Sequence, residues 1–538
     1  MANEQKDTVT ITLNGVQAEV PKDLRIIEAA EQLGVGIAHY CYHPGLSAPA
    51  MCRMCLVEVE GAPKLAPACV TQVAEGQVIH TESERSREAR QGTLEFYLAN
   101  HPLDCPVCDK SGECKLQDYT HAEGAKHGRS IEPKRVLGQD DFGGDILYDG
   151  DRCIMCTRCV RFMREVAEDD RLCVVQRGHR SVIDTFFEHG VEGNLWAGNI
   201  VDICPVGALL SKDFLHKARV WDLDNGPSIC PNCSQGCNIR IDTRDNLVMR
   251  LRPRSNPDVN SYWMCDYGRH SYEWMNLQER VEAPLMRAAD GTLTAGSWQN
   301  TVHALLDRLR SARAKGATVT VIGSPFHGNE DNGLLARLAQ VLGGGDLRFQ
   351  ADRAADEVVL PGFPKLARRR DLAANVRGLE VLGYAQSAAP TAPAAPRAGV
   401  VIALGNDVTA EAVAAAHGAE MFVAIVAQAN AALSAADFVL PTTTFAEAEG
   451  TFTNVEGRVQ RFWPALQPPA LARPAWQILG VLLAGLEDGT APATAGDAFL
   501  LLGDRHAEFS GLSYDMIGAR GALINDPVTI GAGAGGTT

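Results

Sequence analysis

Positive charge, long apolar runs and a targeting segment are scarce or missing in this sequence. The formal net charge is −16, so nucleic acid and an anionic membrane surface are poor candidates for the main partner. The most apolar region, Gly399–Leu440, is interrupted by charged residues and predicts buried strands and helices. The opening residues, MANEQKDTVT, have the features of neither a secretory signal nor a transit peptide. We therefore expect a cytoplasmic chain with no direct membrane span.

Cysteine is missing from the second half of the chain. All 16 cysteines of the 538 residues lie between Cys41 and Cys265. Disulfides are disfavoured in a reducing compartment, and buried structural thiols would be scattered along the sequence. Clustered short spacings in a cytoplasmic chain therefore indicate metal binding. Zinc and iron–sulfur clusters both take four ligands, so both are considered for each group of cysteines.

The N-terminal region has the pattern of a small β-grasp domain. Apolar and polar residues alternate on either side of Asn14-Gly15, which predicts a β-hairpin. The segment LRIIEAAEQLG then predicts a helix that ends at Gly34. A charged amphipathic stretch predicts a second helix over Ser83–Asn100.

Beyond Ser271 the sequence becomes alanine-rich and has α/β character. Three apolar segments, separated by helical sequence, predict buried parallel strands. These segments are Ala317–Gly323, Gly399–Asp407 and Met421–Ala427.

The first cysteine group consists of Cys41, Cys52, Cys55 and Cys69. A two-iron cluster needs two thiolates per iron, commonly a close pair in a loop with ligands from neighbouring segments. Structural zinc sites more often come as two close ligand pairs. With a β-grasp pattern in front, this group predicts a 2Fe-2S cluster.

The second group has only three cysteines, which are Cys105, Cys108 and Cys114. The fourth ligand must come from elsewhere, and His101 is the nearest residue that can coordinate through a neutral imidazole nitrogen. We predict a 4Fe-4S cluster with His101 as its fourth ligand. Imidazole carries less negative charge than thiolate. The reduction potential of this cluster should therefore differ from that of a cluster with four thiolate ligands.

The third group follows the two-cluster ferredoxin pattern, in which the fourth cysteine of each run ligates the other cluster. The ligands of one cluster remain and predict one 4Fe-4S cluster, whereas the positions of the other cluster hold other residues. The remaining ligands are Cys153, Cys156, Cys159 and Cys204, and the replaced positions are Met163, Asn194, Ala197 and Ile200.

The fourth group offers another complete set of four thiols, for which a 4Fe-4S cluster is favoured over zinc. Its members are Cys230, Cys233, Cys237 and Cys265. Only Cys173 remains, and we predict an inert buried thiol there.

The totals are one 2Fe-2S and three 4Fe-4S clusters. A single one-electron carrier would not need a series of centres, so the series predicts a relay between a distant donor and acceptor. No glycine-rich GxGxxG motif follows a strand, which places a nicotinamide site on another subunit. No residue is predicted to act as an acid, base or nucleophile, since the chemistry is one-electron transfer.

The order of the groups, with the segments HPLDCPVCDKSGECKLQD, CIMCTRCVRF and LPTTTFAEAEGTFTNVEGRVQ, resembles the large iron–sulfur subunit of respiratory complex I, the NADH:quinone oxidoreductase. The resemblance implies the ligand sets above and electrons that pass from NADH through FMN towards quinone. It implies that the fourth group binds a cluster which only some bacterial members keep. The implied partners are an FMN/NADH-binding subunit, a small 2Fe-2S subunit and quinone-side iron–sulfur subunits. The implied location is the cytoplasmic face of the inner membrane.

The resemblance also implies a multidomain α+β and α/β fold. The expected order is a 2Fe-2S β-grasp domain, a His/Cys 4Fe-4S domain, a degenerate ferredoxin-like 4Fe-4S domain, a fourth 4Fe-4S subdomain and a shortened molybdopterin-oxidoreductase-like domain without its cofactor. Their predicted bounds are 1–82, 83–130, 131–220, 221–275 and 276–538.

Two other redox enzymes share parts of this pattern. An NAD-linked formate dehydrogenase subunit has the same cluster-bearing N-terminus, but no cysteine follows Cys265 to ligate molybdenum. Asp266-Tyr267-Gly268-Arg269 also lacks the lysine expected after the last cluster cysteine. We therefore expect no molybdenum cofactor. The small diaphorase subunit of an NAD-reducing hydrogenase resembles only the N-terminal half of this chain.

A third alternative has no redox role. A scaffold stabilised by zinc would use the same cysteines.

Overall fold

The computed structural model describes residues 7–185, 188–276, 279–386, 399–405, 419–429 and 431–525. The chain forms two compact units. The first comprises Met1–Leu223 with Leu360–Pro364, and the second comprises Asp224–Val359 with Lys365–Thr538. The five predicted domains are finer than this division, and their bounds stay predictions.

The first unit opens with the predicted hairpin. Strands β1 (Thr8–Leu13) and β2 (Val16–Pro21) pair antiparallel. Asn14 and Gly15 adopt φ values of 50° and 83°, the left-handed pair that a two-residue hairpin turn requires. Helix α1 (Ile26–Gln32) buries Ile26, Ile27, Ala29 and Ala30 against the sheet, and Gly34 follows with a φ of 75°.

The hairpin belongs to a five-stranded sheet of order β2-β1-β5-β3-β4, with β3 (Leu56–Val59), β4 (Ala66–Pro67) and β5 (Val78–His80). The predicted second helix is confirmed as α2 (Glu84–Asn100), whose N-cap Ser83 accepts a hydrogen bond from the Ser86 amide.

The rest of the first unit consists of short helices and strands, as expected of a chain with many loops. Its helices are α3 (Lys115–Glu123), α4 (Arg158–Glu165) and α5 (Asn199–Ile203). Its strands are β6 (Gln139–Asp141), β7 (Ile146–Asp149), β8 (Leu172–Val175), β9 (Val182–Thr185) and β10 (Leu209–Ser211). Strands β10, β7 and β6 form one sheet, and β8 and β9 form another.

The second unit begins with a three-stranded antiparallel sheet and a short helix. The elements are β11 (Asp224–Ile229), β12 (Asn238–Arg244), β13 (Leu247–Pro253) and α6 (Asp266–His270).

An eight-stranded sheet forms the centre of the second unit, in the order β15-β14-β23-β22-β21-β16-β17-β20. Its strands are β14 (Leu285–Arg287), β15 (Leu293–Ala295), β16 (Val319–Gly323), β17 (Gly345–Phe349), β20 (Ala385–Gln386), β21 (Val400–Leu404), β22 (Met421–Val426) and β23 (Phe438–Pro441). The predicted parallel strands are confirmed as β16, β21 and β22. Residues 406 and 407 of the predicted Gly399–Asp407 segment lie outside the described residues.

Both faces of this sheet are buried. Val400, Ile402 and Leu404 pack into one core, whereas Val401 and Ala403 pack into another. This burial on two sides explains why the strands are continuously apolar instead of alternating.

Helices cover the sheet, and smaller strands complete the unit. The helices are α7 (Trp298–Ala314), α8 (Asn329–Val341), α9 (Val376–Val381), α10 (Ala475–Glu487), α11 (Ala495–Gly503) and α12 (Tyr514–Ile517). The remaining strands are β18 (Val358–Val359), β19 (Ala367–Arg368), β24 (Gly450–Thr453), β25 (Arg458–Phe462) and β26 (Ala522–Leu523). Over the described ranges, no helix is long and apolar enough to cross a membrane.

A buried carboxyl group lies in the first turn of α8. Glu330 is fully buried, and its carboxyl oxygens accept hydrogen bonds from the Thr451 amide and hydroxyl and from the Tyr514 hydroxyl. Burial raises the pKa of Glu330 to about 8. The native chain therefore keeps this proton over a pH range in which an unfolded glutamate, with a pKa of about 4.3, has released it.

We predict that Glu330→Gln flattens the pH dependence of stability. The wild-type chain should lose stability as pH rises from about 4.3 towards about 8, because only the folded state holds the proton. Glutamine cannot ionise, so wild type should weaken relative to the variant between pH 5 and pH 8 and then level off. Denaturant unfolding at a series of pH values measures this difference. The exposed control Glu456→Gln should keep the wild-type profile, and equal profiles for all three chains would contradict the prediction.

Candidate metal centres

The four thiols of the first group converge in the loops around β3 and β4. Cys55 immediately precedes β3, and Cys69 lies two residues beyond β4. All four members, Cys41, Cys52, Cys55 and Cys69, are buried to within 3% of complete. The Cys55 carbonyl accepts a hydrogen bond from the Ala68 amide at 2.9 Å, which ties the two loops together.

The thiols of this group form two hydrogen-bonded pairs. Cys41 pairs with Cys52, and the hydrogen bond lowers the pKa of Cys52 to about 5. Cys55 pairs with Cys69, and the hydrogen bond lowers the pKa of Cys69. In each pair the pKa of one thiol is lowered, and the thiolate is the form that binds metal. The donor set fits a 2Fe-2S cluster, with two thiols available for each iron.

The second group lies between α2 and α3. Cys105 is exposed at the start of the short helical turn Cys105–Val107, whereas Cys108 and Cys114 are buried. Burial raises the pKa of Cys114 to about 11, and the Cys108 thiol lies within electrostatic range of it. Cys114 also occupies the N-cap position of α3.

His101 directly follows α2 and has the properties of a neutral ligand. Burial lowers its pKa, so the imidazole is uncharged at neutral pH. Its Nδ1 atom is buried and has no hydrogen-bond partner among the described residues. An unpaired buried nitrogen is unfavourable in a folded protein, and metal coordination would satisfy it.

The third group gathers around the start of α4. Cys159 lies in its first turn, Cys153 and Cys156 precede it, and Cys204 directly follows α5. The Cys159 thiol has the other three as electrostatic neighbours. Burial raises the pKa of Cys156 to about 12. Four thiols facing one another in this way fit a 4Fe-4S cluster.

The replaced ligand positions of the third group have become core. Met163 and Ile200 are fully buried, and Ala197 is nearly so. Asn194 instead donates a hydrogen bond to the Asp169 carboxylate at 2.7 Å. Apolar packing between α4 and α5 has therefore taken the place of a second set of ligands.

The fourth group belongs to the second unit. Cys230, Cys233 and Cys237 lie in the turn between β11 and β12, and Cys265 caps α6. All four are buried, and their thiols are electrostatic neighbours. A Cβ built on Gly268 would lie 2.9 Å from Cys230 Sγ and 3.7 Å from Cys265 Sγ, so glycine leaves the room beside these sulfurs.

A single zinc ion would hold each sulfur at about 2.3 Å. Within the described part of the chain, no group of three or more His, Cys, Asp or Glu side chains could hold a single metal ion as it stands. The leftover Cys173 is partly exposed on β8, so the prediction that this thiol is buried is wrong. The edge of a two-stranded sheet explains this exposure.

Sequence patterns missed the residues that join the groups. Gly207, three residues after Cys204, lies so close to Cys108 that a Cβ on it would overlap the Cys108 sulfur. Arg158 and Arg161 of α4 reach the loop that follows Cys41. The only local sign of these roles is the placement of both arginines beside Cys159 in CTRCVR.

Family models for iron–sulfur domains match the chain in the predicted order. The model described as 2Fe-2S iron-sulfur cluster binding domain matches residues 6–84, and NADH-ubiquinone oxidoreductase-G iron-sulfur binding region matches 90–129. NADH-quinone oxidoreductase subunit 3, ferredoxin-like domain, matches 143–210. NADH-ubiquinone oxidoreductase NDSU1/NuoG-like, 4Fe-4S domain, matches 233–273, and Molybdopterin oxidoreductase matches 370–484. The predicted fold class is confirmed.

Curated relatives are described as parts of the same enzyme. The NADH-quinone oxidoreductase G-type subunit of Rickettsia bellii is 39% identical over 310 residues, which cover 58% of this chain and 45% of the relative. The chain is similar to the large iron–sulfur subunit of NADH-quinone oxidoreductase. A second relative, NADH dehydrogenase (ubiquinone) iron-sulfur protein 1 of Solanum tuberosum, is 43% identical over 297 residues, 55% of this chain and 40% of the relative.

The match to these relatives of the large iron–sulfur subunit is partial. It spans less than half of the length of both curated proteins. A crystal structure of an NAD+-reducing nickel–iron hydrogenase is 29% identical, covering 39% of this chain and 91% of that chain, with a TM-score of 0.35. That score is too low for a comparison of folds.

We predict that Gly207→Ala damages the second group. The added methyl group would overlap Cys108 Sγ and force this thiol out of place. One four-iron signal should be lost from the low-temperature EPR spectrum of the reduced chain, and the two-iron signal should remain. Gly36→Ala is the matched control, since nothing lies within 4 Å of its added methyl. A full set of signals in Gly207→Ala would contradict the predicted overlap.

Proposed function

We propose that this chain is an electron-transfer subunit of an NADH:quinone oxidoreductase, the respiratory complex I. Electrons from NADH, accepted by FMN on a partner subunit, pass along its clusters towards quinone. The observation that carries the proposal is the convergence of buried thiols into separate groups within a chain similar to the large iron–sulfur subunit.

The ligand sets are part of this proposal. The first group holds a 2Fe-2S cluster, and the other three hold 4Fe-4S clusters, with His101 completing the second. The paired thiols around Cys52 and the unpaired Nδ1 of His101 support these assignments. The fourth group, being in the other compact unit, is assigned a cluster on its thiol set alone.

An iron–sulfur cluster supplies a site that gains and loses one electron, so the chain needs no acid, base or nucleophile. The protein residues fix where each cluster lies and exclude water from it. Contacts within the first unit join the groups, since Gly207 lies against Cys108 and the amide of Lys115 donates to the Pro205 carbonyl at 2.9 Å. These contacts between neighbours of the second and third groups support a relay between them.

The second unit is proposed to lack a molybdenum cofactor, although its residues 370–484 match the Molybdopterin oxidoreductase model. The sequence offers no cysteine beyond Cys265 as a molybdenum ligand. The proposed role of this unit is that of a scaffold. A formate-dehydrogenase-like enzyme is the other outcome that metal analysis can reveal.

The proposed partners are an FMN/NADH-binding subunit, a small 2Fe-2S subunit and quinone-side iron–sulfur subunits. Nicotinamide, FMN and quinone sites and proton translocation are assigned to these partners. The proposed location is peripheral, on the cytoplasmic face of the inner membrane. The acidic net charge of −16 supports binding to proteins instead of to an anionic lipid surface.

Metal analysis with low-temperature EPR of the anaerobically purified, dithionite-reduced chain tests the proposed function. We expect iron near about 14 atoms per chain, overlapping two-iron and four-iron signals, and no molybdenum. Stoichiometric molybdenum would point to the formate-dehydrogenase-like enzyme. Zinc in place of iron would make the thiols structural and would end the proposal.

We predict that Cys204→Ser removes one four-iron EPR signal and leaves the two-iron signal intact. Serine lacks the thiolate of the third group, whereas the first group draws on none of its residues. Cys173→Ser is the matched control, because this thiol belongs to no group and should leave every signal unchanged. Loss of the two-iron signal in Cys204→Ser would refute the assignment of ligands.

A further inference from the structure

One face of α4 carries three charged side chains, Arg158, Arg161 and Glu165. Spacings of three and four residues place them on the same side of a helix. The helix starts within the third cysteine group, since Cys156 lies two residues before it and Cys159 lies in its first turn. We call this surface the α4 face.

Arg158 joins the first and third groups through their backbones. Its Nη1 donates to the Ile203 carbonyl at 3.0 Å, and its Nη2 donates to the Tyr42 carbonyl. Ile203 directly precedes Cys204, and Tyr42 directly follows Cys41. One guanidinium therefore holds a cysteine segment of each group.

Arg161 makes a second connection of the same kind. Its Nη2 donates to the carbonyls of Cys41 and, at 3.4 Å, of Cys156, and its Nη1 donates to the Ser47 carbonyl. Glu165 adds to the contact, because its carboxylate accepts hydrogen bonds from the Ser47 amide at 2.9 Å and hydroxyl at 2.6 Å. The α4 face thus holds the whole loop from Cys41 to Ser47.

The positive charges on this face have no carboxylate partner. Arg158 and Arg161 are 8% and 4% exposed, and within the described part of the chain neither guanidinium lies within 4.0 Å of a carboxylate. Arg158 Nε is buried without any partner there. A buried cation without a counter-charge is strongly unfavourable.

Thiolates are the nearby source of negative charge. Burial lowers the pKa of Arg158, and the nearby thiols of Cys156, Cys204 and Cys41 oppose this by favouring its charged form. Two of them belong to the third group and one belongs to the first. With clusters bound, thiolates of both sets would supply the counter-charge that Arg158 needs.

We propose that Arg158 and Arg161 are positioning residues shared by the first and third cysteine groups, fixing the two loops against each other and stabilising the reduced form of both bound clusters. This inference rests on the proposed function. Reduction adds one negative charge to a cluster, and a buried cation nearby favours the state with more negative charge. The same two side chains therefore raise the midpoint potentials of two clusters at once.

The test is a redox titration, followed by EPR, of the full-length chain purified with its clusters. In Arg158→Gln and Arg161→Gln, the midpoints of the two-iron signal and of the four-iron signal lost in Cys204→Ser should both fall. We expect at least a tenfold change in each reduction equilibrium, about 59 mV for a one-electron couple. Arg158→Lys keeps the charge and should recover most of the shift.

Arg90→Gln is the matched control. Arg90 is an equally buried arginine at 2% exposure, but it pairs with Glu123 and Glu82 and lies on α2, away from the α4 face. Its substitution should leave both midpoints unchanged. Equal shifts in Arg90→Gln, or wild-type midpoints in both glutamine variants of the α4 face, would overturn the inference.

Loss of iron in Arg158→Gln is also decisive. Retention of iron in Arg158→Lys and Arg90→Gln would then support the need for a counter-charge, whereas loss in Arg158→Lys as well would contradict it. Failure of the proposed function is distinguishable, because the wild-type chain would then lack the iron and the EPR signals. Failure of this inference alone leaves wild-type iron and signals in place.

Discussion

Negative charge concentrated in a buried place is the constraint on which the first unit depends. The first and third groups both lie close to Arg158 of α4, and buried thiolates need positive charge or hydrogen-bond donors nearby. Arg158 and Arg161 supply these from one helix face and donate to carbonyls at both sides. The packing of short elements around these groups follows, because neither thiols nor arginines would be stable there alone.

Local sequence patterns were enough to predict the elements that depend only on residues close in sequence. The hairpin at Asn14-Gly15 needs only two left-handed residues, and α2 needs only its Ser83 cap and a helical sequence. Cysteine spacing predicted the groups because ligands of one cluster are mostly close in sequence. The contact between Arg158 and Tyr42 joins residues 116 positions apart, and Gly207 meets Cys108 across loops. Contacts between such distant residues leave no periodic pattern in the sequence. The α4 face therefore could not be predicted from the sequence.

In the second unit, too, features set by nearby residues could be predicted from the sequence, whereas features set by distant segments could not. Continuous apolar runs predicted β16, β21 and β22, because a parallel strand covered on both faces has no polar side. The order of the eight strands and the burial of Glu330 beside Thr451 and Tyr514 depend on segments far along the chain. Predicting them requires knowing the folded arrangement first. The prediction that Cys173 is buried failed for a related reason. The exposure of a residue at a sheet edge depends on the segments that pack beside it.

The packing between α4 and α5 gives the loss of a ligand set a direction in evolution. Met163 and Ile200 now fill the space with apolar volume, and each contributes to a close-packed interior. Restoring a cysteine at one of these positions would remove volume from the core without completing any cluster. Either substitution costs stability, and one new thiol is not a complete set of ligands. A chain with this core would therefore need several substitutions together before a further cluster could bind.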